Sequence, residues 1–96
     1  MLWSQTVEAL YATGLKNTIQ VPVLFHALVL YWRVSKKQII ENKHEYSHTC
    51  LWLAGLLHGE RITLESVGVE KERGIRICID VIDMLGGCLY LSLIHI

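Results

Sequence analysis

Proline and phenylalanine each occur once in 96 residues, and neither sign of charge predominates: nine Lys and Arg stand against nine Asp and Glu. A chain without a basic field has nothing to draw a phosphate backbone or an anionic lipid surface to it, so neither nucleic acid nor a membrane is the expected partner. No apolar run is long enough for a bilayer. The longest, "VPVLFHALVLYW" from Val21 to Trp32, contains Pro22 and His26 and stops at Arg33. It falls well short of the ~20 residues a spanning helix needs. The three cysteines, Cys50, Cys78 and Cys88, are odd in number and form no C-x-x-C. That argues against a disulfide framework and for buried thiols in a reducing, cytoplasmic compartment. The chain opens with no basic segment, short apolar run and small-residue cleavage site, so no secretory signal is expected. Internal repeats, phosphate loops and the G-x-S-x-G nucleophile pattern are missing too. With 52% apolar residues, disorder is excluded.

What is present reads as helix. In "SQTVEALYATG", Ser4 suits an N-cap, Val7, Leu10 and Tyr11 recur at helical spacing, and Gly14 suits a left-handed stop. "LKNTIQ" reads as a loop. Pro22 fits the first turn of a second helix, where its missing N–H costs nothing. That helix is apolar nearly all round and is expected to lie centrally. "SKKQ" has the form of a capping box, with Ser35 and Gln38 opening a third helix. Its apolar stripe runs through Ile39, Ile40, Tyr46, Cys50 and Leu51 and breaks between Gly55 and Gly59. Arg61 to Gly68 stays open between strand, turn and helix start. In "KERGIRICIDVIDMLGG", Ile75, Cys78, Ile79, Ile82 and Leu85 follow helical spacing and Gly86 stops it. Ile75, Ile77, Ile79 and Val81 also alternate, which leaves a strand open, though the length favours helix. The expected fold is all-α, a small bundle of four to five helices.

Four of the five histidines lie between His26 and His58. His44 and His48 are i, i+4 and share a helix face, a spacing that suits two imidazoles on one metal ion. "HEYSH" followed by "LLHGERI" resembles the metal-binding half of the dehydroquinate synthase-like superfamily, which includes iron- or zinc-dependent alcohol and glycerol dehydrogenases. "ALYATGL" ahead of "FHAL" is similar to the same enzymes. The resemblance implies His48 and His58 as ligands of a zinc or iron ion, with His44 beside them. It implies a carboxylate ligand and an NAD(P)-binding domain upstream, both outside this chain. His26 is an alternative first ligand. One ion can hold His48 and His58 only if the chain turns back between Thr49 and Leu57. Ten residues of unbroken helix rise about 15 Å, whereas each ligand sits roughly 2 Å from the metal.

Two other readings stand beside it. His44-Glu45-Tyr46-Ser47-His48 fits H-E-x-x-H, in which Glu45 would activate a zinc-bound water. Ala54 occupies the place of the third histidine in one such class. Alternatively the chain is a non-catalytic helical interaction domain, of phage or mobile-element type, with a protein partner. There His44 and His48 are solvated, His26 is a locally bonded core residue, and His58-Gly59 caps a helix beside its dipole.

The last six residues, "LSLIHI", resemble the in-frame translation of a transposase-end sequencing adapter. The expectation is a helical domain or domain fragment over residues 1–90 and a non-native tail over 91–96.

Overall fold

The computed structural model describes residues 3–37, 40 and 42–86, with side chains from Gln5 onward. The expected tail over 91–96, Cys88 and Gln38 lie outside these residues. Among the described residues four α-helices follow one another: α1 (Trp3–Lys16), α2 (Val21–Lys37), α3 (Lys43–Leu57) and α4 (Lys71–Met84), with a 3-10 turn at Glu65–Val67 before α4. No strand occurs among the described residues, so the alternating isoleucines after Gly74 belong to a helix. No helix among them is long and apolar enough to cross a membrane.

The helix expected to be central is not. α2 buries one face, including Leu24, Leu30 and Val34, and exposes Val21, Phe25 and Trp32. α3 takes the middle, packed against α1, α2, α4 and the 3-10 turn. Its run Ser47, His48, Thr49, Cys50 and Leu51 is wholly buried. Where a helix is enclosed in this way, its serine, histidine and threonine must find partners indoors.

Three boundaries differ from the sequence reading. Ser35 is not an N-cap: it sits in the last turn of α2, where its Oγ donates to the Trp32 carbonyl at 2.8 Å. The third helix begins instead after Asn42. Gly14 is not a left-handed stop either. α1 runs through it to Lys16, and the left-handed residue is Thr18 at φ 53°. Ser4 likewise lies inside α1, which starts at Trp3. Gly14 serves packing: a Cβ there would come within 2.5 Å of Leu24 Cδ2, so its absence lets α2 close on α1.

Pro22 lies in the first turn of α2, as its chemistry requires. Histidine 58 and glycine 59 end α3 as expected. The His58 N–H donates to Ala54 O, Gly59 is left-handed at φ 79°, and Glu60 N–H closes on Gly55 O at 2.7 Å. The segment that sequence left open becomes a loop that anchors through Leu64, Val67 and Val69, all buried. Asn17 Nδ2 donates to Ser66 O at 3.2 Å and ties that loop to the end of α1.

α4 seats on this loop. Gly74 has no Cβ to strike Leu64, whose Cδ2 would be 2.6 Å away. Glu45 and Arg73 join α3 to α4 in a two-pronged ion pair, both contacts at 2.6 Å, and the Tyr46 hydroxyl donates to Asp80 at 2.9 Å.

Candidate functional site

The histidines form two separate pairs, not one cluster. α3 is continuous from Lys43 to Leu57, so the turn required to bring His48 and His58 together does not occur. Ten helical residues keep them about 15 Å apart. The expected pairing of His48 with His58 on one ion is therefore corrected.

His44 and His48 do share a face, their rings stacked at 4.0 Å between centroids. His44 is exposed, but His48 is buried, contrary to the reading of both as solvated. His48 Nδ1–H donates to the His44 carbonyl at 2.9 Å, and Nε2 meets Thr13 Oγ1 at 2.9 Å. The carbonyl only accepts, so in the neutral ring Nε2 takes the hydroxyl hydrogen of Thr13. Burial pushes this imidazole below the ordinary histidine range and nearby His44 pushes the same way, while the carbonyls of His44 and Ala9 pull back. Both ring nitrogens are engaged: Nδ1 within α3 itself, and Nε2 in holding α3 against α1. An open cleft of about 410 Å³ lies alongside, walled by Gln5, Thr6, Lys43 and His44.

Glu45 points elsewhere, to Arg73. That guanidinium holds its carboxyl below the usual carboxylate range. A carboxylate so engaged is a poor proton acceptor, and the H-E-x-x-H reading loses its general base.

His58 meets a residue from another helix. Its Nε2 lies 3.0 Å from His26 Nδ1, the rings edge to face at 5.2 Å. His26 is fully buried and His58 exposed. One partner of the core histidine thus lies across the α2–α3 contact. Among the described residues no three or more His, Cys, Asp or Glu side chains converge as metal ligands. Cys50 is buried and its thiol is driven far above the ordinary range, chiefly by burial. Burial also raises Cys78. Burial therefore disfavours the thiolate at both.

The most exposed organised feature is apolar. α4 buries Gly74, Ile77 and Val81. Its isoleucines at i, i+4 and i+7 face outward instead: Ile75 is 42% exposed, Ile79 63% and Ile82 38%, against 6% for Ile77. Ile75 also walls a groove of about 380 Å³ with Trp52, Leu56, Ile62 and Leu64. The sequence spacing marks these isoleucines as one helical stripe. It does not say that a second stripe, Gly74, Ile77, Val81 and Leu85, is the one that seats on the core. The glycine decides: only the face without a Cβ at position 74 can lie against Leu64.

Comparison of the chain with protein-family models, with curated proteins and with solved structures finds no match.

Proposed function

We propose that this chain is a non-catalytic helical interaction module whose docking face is the outer side of α4 with the adjoining α3–α4 groove. The observation that carries it is the outward stripe Ile75, Ile79 and Ile82. A helix that turns one apolar stripe to the core and a second to solvent is suited to a further layer of helix. Spacing at i, i+4 and i+7 matches an amphipathic helix laid alongside. Trp52 and Leu56 beside Ile75 supply a deeper pocket for one anchoring side chain. The test is a helical-peptide display library panned on the folded chain, with Ile75→Glu/Ile79→Glu as counter-target. Selected peptides should carry aliphatic residues at helical spacing and lose binding to the variant, whose circular dichroism should match wild type. Binders indifferent to the variant would overturn the reading.

A second reading keeps the metal, at a different pair. His26 Nδ1 and His58 Nε2 lie 3.0 Å apart. That is near the separation of two imidazole nitrogens bound at roughly 2.0–2.1 Å to one ion. A zinc or iron ion there would take its other ligands from water or from an upstream domain of a dehydrogenase-like protein. Isothermal titration with zinc should show binding that His58→Ala abolishes and His44→Ala spares. Absence of binding refutes this reading.

A further inference from the structure

We infer that the partner helix is α4 of a second copy of this chain, laid antiparallel about a two-fold axis near Ile79. The inference rests on the interaction-face reading above and names its occupant. The charge beside the stripe selects this occupant. Most charges of α4 near α3 are already used, Arg73 by Glu45 and Asp80 by the Tyr46 hydroxyl. Arg76 and Asp83 remain exposed, and neither has an ion-pair partner among the described residues. They are seven residues apart and therefore lie on one flank of the isoleucine stripe. Their midpoint falls one residue, about 1.5 Å along the axis, from the midpoint of Ile75 and Ile82.

An antiparallel pair sets each flank beside the same flank of the other copy, running the opposite way. Arg76 of one copy then lies beside Asp83 of the other, twice by symmetry. Ile75 meets Ile82 across the seam, next to the groove that Ile75 shares with Trp52 and Leu56. A parallel pair about a two-fold axis along the helices would carry this flank to opposite sides of the seam, as e and g positions are in a parallel coiled coil, and so would bring Arg76 and Asp83 of the two copies to no such contact. Antiparallel helices also oppose their macrodipoles favourably. Two-fold, self-complementary contact is the commonest form of association between identical chains.

Sedimentation equilibrium of the full chain, from low micromolar to near-millimolar concentration, tests this. The average mass should rise from the 11.0 kDa of one chain toward twice that value. Ile79→Glu, with circular dichroism unchanged, should weaken association at least about tenfold. Arg76→Asp alone and Asp83→Arg alone should each weaken it by about three- to tenfold, because both symmetric pairs become like-charged. The double exchange Arg76→Asp/Asp83→Arg should restore it. A dimer insensitive to Ile79→Glu, or a double exchange no better than the single ones, overturns the antiparallel pairing. A chain that stays monomeric throughout overturns self-docking. If display-selected peptides still bind the α4 face of that monomer, the interaction-face reading survives; if none do, both fall.

Discussion

Gly74→Ala should destabilise the protein, although in an exposed helix the same change stabilises. The intrinsic gain of alanine over glycine inside a helix is about 1 kcal/mol. Against it stands Leu64. An added Cβ would sit 2.6 Å from Leu64 Cδ2, 2.8 Å from Cδ1 and 3.1 Å from Cγ. Turning the tip of the side chain relieves one methyl but not the branch carbon. Leu64 is itself buried at 6% exposure. It must therefore shift bodily, or α4 must lift. Overpacking of this kind costs typically ~1–3 kcal/mol. With all three nearest atoms on one enclosed side chain, the upper half of that range applies. The net loss is then about 1–2 kcal/mol, a fall of roughly 5–10 °C in the midpoint for a domain this size. Urea and thermal unfolding followed by circular dichroism measure it. In a Leu64→Val background, where the far methyls are gone, the penalty should shrink by at least about half. A Gly74→Ala protein more stable than wild type would refute the seating of α4 on Leu64, and with it the assignment of which isoleucines face out.

The His48 imidazole is held below its unfolded value by burial and by His44, so the unfolded chain binds the extra proton first. Stability should be full above about pH 6.5, fall as pH drops below that value, and level off once the folded imidazole also protonates. His48→Gln should flatten that limb in pH-dependent urea unfolding, and an unchanged slope would contradict it. Thr49 Oγ1 is buried without a hydrogen-bond partner among the described residues. Thr49→Val should therefore raise stability by about 1 kcal/mol, whereas a loss would mean the hydroxyl is bonded. Ser35→Ala should change the urea midpoint by less than about 0.5 kcal/mol equivalent, where a true N-cap would lose about 1 kcal/mol.

The helices were legible where local chemistry decides them. Pro22 suits the first turn of a helix, His58-Gly59 suits the end of one, and the length of the isoleucine pattern after Lys71 favours helix over the strand that its alternation left open. What was not legible depends on contacts far along the chain. Cys50 was legible as buried from its place on the apolar stripe, but Ser47, His48 and Thr49 beside it are polar, and they are enclosed because three helices converge on α3. Nothing local says that His48 will find Thr13 thirty-five positions away, or that His58 will find His26. The "SKKQ" capping pattern misled because α2 extends past Ser35 and the hydroxyl bonds backward to Trp32. The metal reading of His48 with His58 failed on one point: "TCLWLAGLL" is uninterrupted helix, and Gly55 gives Ile62 room to fold over it rather than bending it.

The central claim is that α4 turns Ile75, Ile79 and Ile82 to solvent and Ile77 inward. Solvent paramagnetic relaxation of isoleucine δ1-methyl signals, recorded with a soluble nitroxide on dilute chain, tests it most directly. Strong relaxation is expected at Ile79, clear relaxation at Ile75 and Ile82, and protection at Ile77. The contradicting result is the reverse pattern, with Ile79 protected in the dilute chain and Ile77 exposed.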